Sequence, residues 1–196
     1  MEPLFLGSHP AIDFLNTALA PGGEEIETIG DGRAYLDWFV GAQLLTEAEA
    51  ARVRRRFGAQ ALDAAATEAR KVREWAREWL TRWRAAPRGD YGPELADLNK
   101  LLAREARRLE VVEDKAGLRL VDQLRIDAAD TLLGLIAAQI AALITREDPS
   151  LVKACAGPAC TLWFLDRTKA HRRRFCSAAT CGNRAKVAAF RQRQRR

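Results

Sequence analysis

Cysteine is absent from the first 152 of the chain's 196 residues, and histidine occurs only at His9 and His171. A lone histidine near a terminus suits a capping or solvated role better than catalysis. Also missing are a Gly-rich phosphate loop, a Gly-x-Ser-x-Gly elbow and a His-Glu-x-x-His helix, so nothing in the sequence points to nucleotide, serine-hydrolase or zincin chemistry. The opening MEPLFLGSHPAIDF has neither the basic n-region nor the long apolar h-region of a secretory signal. The longest apolar stretch, Leu132 to Ile144, is interrupted by Gln139 and is shorter than the roughly 18–20 residues that span a bilayer. The expectation is a cytoplasmic chain with no membrane partner, no internal repeat and no enzyme activity.

Hydrophobic residues make up 48% and charged residues 30% of the sequence, a composition that folds. The formal net charge of +6 is unevenly placed. From Lys153 to the end there are twelve basic residues and one acid, Asp166, a net +11, which leaves −5 for residues 1–152. All four cysteines lie in the same basic segment. Two modules are implied, 1–150 and 151–196.

In the first module, the short apolar runs around Gly7 and Pro10 suit a strand and turn over Leu4 to Thr17, and Ala20-Pro21-Gly22-Gly23 reads as a loop. Asp31 is placed to cap a helix carrying Tyr35, Leu36, Trp38 and Phe39. Thr46 and Glu49 have capping-box spacing at the head of another, reaching about Phe57. From Gln60 to Arg84 the apolar residues recur in three- and four-residue steps, and Trp75, Trp79 and Trp83 read as core aromatics rather than a ligand cage. The arginines at 52, 54, 55 and 56 read as a solvated face. Pro93 suits the first turn of the next helix. Arg108 to Val121 alternates around a Gly117-bearing loop, the pattern of a β-hairpin. Asp127 to Arg146 returns to helix, apolar on most sides, and predicts the central packed element. The fold class is therefore α+β, mostly helical. Asp13, Asn16 and Thr17 are the one compact polar set beside an apolar run, either turn-forming or lining a ligand pocket.

In the second module, Cys155-x4-Cys160-x15-Cys176-x4-Cys181 has the form of a four-thiolate zinc site. Tetrahedral zinc with bonds near 2.3 Å brings the sulfurs about 3.8 Å apart, and a four-residue spacer containing Gly157-Pro158 curls enough to allow it. In a reducing compartment such cysteines serve as metal ligands sooner than as disulfides. The two pairs complete the site without His171, and a closed site offers substrate no open position, so one structural Zn2+ is expected. Trp163 to Asp166 and Arg172 to Phe175 suit two arms of a hairpin, and Asn183 to Arg196 a helix with Val187 and Phe190 facing inward. Knuckle, hairpin, second ligand pair and helix follow the order of a treble-clef or zinc-ribbon-like finger. A 44-residue module buries little core, so metal supplies most of its folding free energy.

The stretch Cys155-x4-Cys160-x3-Phe164-x-Asp166, with Arg173-Arg174-Phe175-Cys176-Ser177 and Cys181-Gly182-Asn183-Arg184-Ala185-Lys186, resembles the CGNR zinc finger; Phe175 stands where many members carry Trp. The earlier half, with Leu15-Asn16-Thr17 and Trp38, is similar to the ABATE domain of bacterial stress-induced transcription regulators. The resemblance implies DNA binding by the finger, carried onto Arg172, Arg173, Arg174, Asn183, Arg184 and Lys186. The concentrated positive charge points the same way by itself, since cations that displace phosphate counterions drive nucleic-acid binding, and it extends the reading to Arg191. Arg173, Arg174 and Arg184 are also placed to offset the −2 of a four-thiolate zinc centre, and Asn183 to cap the last helix. The leading expectation is a DNA-binding regulator whose first domain senses a small molecule or mediates assembly. The rivals are an RNA- or protein-binding zinc module and a treble-clef nuclease using His171.

Overall fold

Capping chemistry fixes where the helices begin. The structure is a computed structural model describing residues 3–20, 24–104 and 106–194, so Pro21, Gly22 and Gly23 of the expected loop lie outside the described residues, as do Arg195 and Arg196. Helix α1 spans Pro10–Leu15, where the sequence pattern suggested strand and turn. Six residues are too few to show a helical period, but Pro10 sits in the first turn and His9 Nδ1 accepts the Ala11 N–H at 3.2 Å, so both start signals are present. Strands β1 (Ala18–Leu19) and β2 (Ile26–Glu27) form a short antiparallel pair. Helix α2 (Gly32–Gly41) starts at Asp31, whose carboxylate accepts the Ala34 N–H at 2.8 Å.

Helix α3 runs Glu47–Ala85 from the Thr46/Glu49 capping box. It bends at Gly58, where φ is +70° and nothing lies within 4 Å of a Cβ position, so glycine is required there by the backbone alone. The two helices read from the sequence are the arms of this kinked one. Helix α4 (Gly92–Leu102) follows, then the hairpin of β3 (Arg107–Asp114) and β4 (Gly117–Leu124), paired in register from Arg107↔Leu124 to Asp114↔Gly117. Helix α5 (Leu132–Arg146), preceded by the short turn Ala129–Thr131, packs against α1, α3 and α4. With that turn the apolar stretch reaches 18 residues, Ala129–Arg146, at a mean hydropathy of 1.4, long enough by composition to cross a bilayer and longer than the sequence reading allowed. Half of it is buried inside the fold, so its apolarity belongs to the core.

The main core gathers Phe14, Tyr35, Trp38, Phe39, Trp79, Trp83 and the inner face of α5, which makes the tryptophans packing residues. Arg73, 4% exposed, crosses from α3 to Glu27 through two hydrogen bonds of 2.9 and 2.7 Å and to Thr17 Oγ1 at 3.0 Å.

The last part of the chain joins this core instead of standing apart from it. Strand β5 (Val152–Ala154) pairs antiparallel with β6 (Trp163–Leu165), while Arg172 to Phe175 forms no strand. The expected hairpin is thus replaced by a pairing with an earlier segment. Asp166 explains the switch: its buried carboxylate accepts from Thr168 N and Oγ1 at 3.1 and 2.6 Å and from Arg173 N at 2.9 Å, wrapping the following loop around itself. All three β6 residues are buried. Trp163 and Leu165 enter the main core with Val152, whereas Phe164 points oppositely, into a second cluster with Leu19, Leu162 and the cysteines. The other edge of β6 is closed by the first residues of the chain. Leu165 N donates to Gly7 O at 2.8 Å, and the Asn16 amide bonds both the Trp163 N–H and C=O at 2.9 Å. Helix α6 (Asn183–Gln194) ends the described chain and buries none of its residues; Val187 and Phe190, expected to face inward, are 41% and 54% exposed. The finger is too small to give a 12-residue helix a surface to lie on.

Asn16→Ala would leave two buried backbone groups of Trp163 unpaired, and is expected to lower unfolding stability by about 2–4 kcal/mol in urea titrations. A loss below about 1 kcal/mol would show that the edge of β6 does not need this amide.

Candidate metal centre and basic surface

The two cysteine pairs converge because the β5–β6 hairpin and the turn Ala178–Gly182 meet at one end of the second cluster. The sulfurs of Cys155, Cys160, Cys176 and Cys181 lie within 4.8 Å of one another, with 3.9 Å between Cys160 and Cys176 and 3.6 Å between Cys176 and Cys181. These spacings suit corners of a zinc tetrahedron and are far longer than a disulfide. Backbone amides are already aimed at the sulfur of Cys155, from Gly157 at 3.4 Å and Cys176 at 3.3 Å. Gly157 is held small by the site: a Cβ there would lie 3.1 Å from the Cys181 sulfur.

The thiols differ in acidity. Burial pushes Cys160 up to about 11, and burial together with the neighbouring sulfurs raises Cys176 further. Burial opposes ionisation of Cys155 too, but the two N–H donors together with the thiols of Cys176 and Cys160 outweigh it and lower its pKa. Four contacting sulfurs cannot all ionise without a cation among them, and a divalent ion that accepts four thiolates is the complement of this donor set. The residues fit one structural zinc. His171 is exposed, with Nδ1 at 3.1 Å from the Asp166 carbonyl, and does not join the cluster.

The structure divides the predicted phosphate contacts into two groups. Arg173 is committed inside the protein: its guanidinium donates to the carbonyls of Leu6, Phe175 and Cys176 and to Ser8 Oγ, and it lies 4.2 Å from the centre of the Phe164 ring. Arg174 is exposed and covers Phe175. Arg172, Arg184, Lys186, Arg191 and Asn183 are exposed as well. Asn183 is not the cap expected; Ser177 caps the turn that leads into α6, accepting from Thr180 N at 3.3 Å. Of the polar set near the start, Asn16 is occupied by Trp163 and Thr17 by Phe14 O and Arg73, while Asp13 accepts the Gly7 N–H at 2.7 Å. All three are buried.

A clasp between Lys153 and Asp166 escaped the sequence reading. Lys153 Nζ is 2.7 Å from the carboxylate and also bonds the His171 carbonyl at 2.6 Å. Burial alone would raise the Asp166 pKa, but Lys153 and the Thr168 and Arg173 donors hold it well below the usual carboxylate range. Its signal was present in the sequence, as the single acid among twelve bases.

A helical α+β body fused to a closed four-cysteine finger defines a two-part zinc-finger protein. The chain belongs to the ABATE family, described as "putative stress-induced transcription regulator", whose model matches residues 8–147; residues 152–194 match the CGNR zinc finger. A search of the curated proteins found no match to this chain.

Full-length protein is expected to carry about one zinc per chain by elemental analysis, and Cys176→Ser to retain about a tenth or less of it at equal free metal. Unchanged zinc in that variant would place the metal elsewhere. A second expectation concerns Asp13, whose carboxyl burial pushes up to about 6. Because the folded state holds this proton more tightly than the unfolded chain, Asp13 favours folding below about pH 4 and loses that contribution as pH rises through 6. Asp13→Asn keeps an acceptor for Gly7, so it should stabilise the fold by about 1–3 kcal/mol at pH 7.5 and change it little near pH 4, measured by urea unfolding. Equal effects at both pH values would contradict the buried carboxyl's role.

Proposed function

We propose that this protein is a cytoplasmic DNA-binding transcription regulator in which the zinc-held finger contacts phosphates and the helical body senses a ligand or mediates assembly. The observation that carries the reading is α6, which leaves the cysteine cluster, buries no residue and presents Arg184, Lys186, Arg191 and Arg193 to solvent. Among the described residues, Arg172, Lys186, Arg191 and Arg193 have no ion-pair or hydrogen-bond partner, so their charge is available to a polyanion. Arg173 is left out of the proposed DNA-binding set because four of its five guanidinium donors are already used inside the protein. The diameter of an α-helix fits the width of a major groove, and family membership supports DNA as the polyanion. For ligand sensing, a cavity of about 320 Å3 lies where helical body and finger meet, lined by Leu19, Glu25, Glu74, Arg77 and Thr161.

The reading is of a binding protein, not an enzyme. Four sulfurs leave zinc no open position for substrate, and Asp166, the acid a nuclease reading needs, is enclosed by Lys153, Thr168 and Arg173. One observation favours RNA as the alternative polyanion: Phe190, half-exposed among the cations of α6, offers a ring on which an unpaired base can stack.

Fluorescence anisotropy of the full zinc-loaded chain on duplex DNA across a salt series tests the reading. The slope of log affinity against log salt should be about −3.6 or steeper, four phosphates at about 0.9 each, and Arg191→Ala with Arg193→Ala should flatten it by about 1.8. Binding without salt dependence, or preference for single-stranded RNA over duplex DNA in competition, would overturn it.

A further inference from the structure

The charged side chains of α6 are all cations, and they stand on either side of an uncharged stripe. At about 100° per residue, Asn183, Val187, Phe190 and Gln194 fall within about 60° of one another around the helix. Lys186 and Arg193 lie about 70–90° to one side of that stripe, and Arg184 and Arg191 about as far to the other. The back of the helix is mostly alanine, and Ala185, on that side, is the one residue of α6 that is half-buried. The finger therefore lies behind α6, and the stripe points away from it. Val187 and Phe190 are 41% and 54% exposed, and among the described residues the amides of Asn183 and Gln194 have no hydrogen-bond partner. No acid follows Asp166 in the sequence, so no carboxylate competes for these cations from within the finger's second half.

We infer that this stripe reads base edges in the major groove of duplex DNA and selects A·T pairs, while the cations beside it hold the phosphates of the two strands. The inference rests on DNA binding by the finger and adds which side chains carry the sequence. A helix lying in the major groove has a phosphate backbone along each flank and base edges in front, which matches cations on two sides of an uncharged centre. Each stripe residue has a complement there. A carboxamide bonds adenine N6 and N7 together, which suits Asn183 and Gln194, and the thymine methyl takes apolar contact, which suits Val187 and Phe190. Guanine is read best by Arg or Lys and cytosine by a carboxylate, and the stripe contains none of these. From Asn183 to Gln194 the helix rises about 16 Å, the length of about four to five base-pair steps. Duplex RNA does not fit, because its major groove is too deep and narrow to be read by side chains. Asn183 comes two residues after Cys181, so the metal site sets where the stripe begins.

Selection from a random duplex library with the full zinc-loaded chain should enrich an A·T-rich core of about four pairs. Fluorescence anisotropy then compares that site with an unrelated duplex of equal length. Asn183→Ala should weaken binding to the selected site by about 5- to 150-fold and leave the unrelated duplex unchanged, whereas Arg191→Ala should weaken both alike. Replacing thymine by deoxyuridine in the selected site removes only major-groove methyls. It should lower the affinity of the unaltered chain about three- to fourfold for each methyl contacted, and Val187→Ala with Phe190→Ala should abolish that sensitivity. Duplex binding with no enriched sequence, equal losses on both duplexes from Asn183→Ala, or indifference to deoxyuridine would overturn the base-reading stripe and leave the DNA-binding reading standing. Failure to bind any duplex, or preference for unpaired RNA, would overturn both.

Discussion

Strand β6 holds the two parts of the molecule together because period-two geometry lets three consecutive residues serve two cores. Trp163 and Leu165 extend the helical core, and Phe164 extends the cysteine cluster. Each such side chain is worth about 1.5–3 kcal/mol when buried, so the strand is a large contributor to a finger with few other apolar residues. Arg84 of α3 lies over the Trp163 ring at 4.4 Å, adding a contact from the body to the same strand. Zinc closes one end of the finger; the helical domain closes the other. Metal and body are therefore complementary sources of order, where a free-standing finger would depend on the metal alone.

The same constraint decides which cations remain available. A guanidinium has five donors in a fixed fork, and Arg173 uses them to gather carbonyls from the first residues of the chain and from the second ligand pair. That role is closed to lysine, whose single ammonium cannot reach these acceptors at once. Its neighbours Arg172 and Arg174 face outward on the same loop. A run of three arginines thus contains one structural residue and two surface charges, a division set by where the backbone turns after Asp166.

Legibility followed the range of the interaction. The capping groups Asp31, Thr46 and Glu49 act within three residues, and the structure has them where the spacing put them. The cysteine cluster was legible because metal chemistry restricts both residue type and spacing. The partner of β6 was not, because the arms 163–166 and 172–175 are close in sequence whereas β5 is selected by which faces must be buried. Asn16 gave no signal of its role at all: its partner lies 147 residues away, and an asparagine beside an apolar run reads equally as turn or pocket. The exposure of Val187 and Phe190 was hidden for another reason, since a helical period shows which residues share a face but not whether anything is there to cover it.

Helix α1 carries this coupling from the body side. Ile12, Phe14 and Leu15 lie in the main core against α5 and α3, while Asp13 secures the Gly7 strand edge and Asn16 secures Trp163. The six-residue helix is thus held on both sides. Displacing it relative to α5 would break the Asn16 bonds or carry β6 with it, and β6 is joined to β5, which leads directly into Cys155. The helical domain and the first cysteine pair are thus connected through hydrogen bonds and one shared strand.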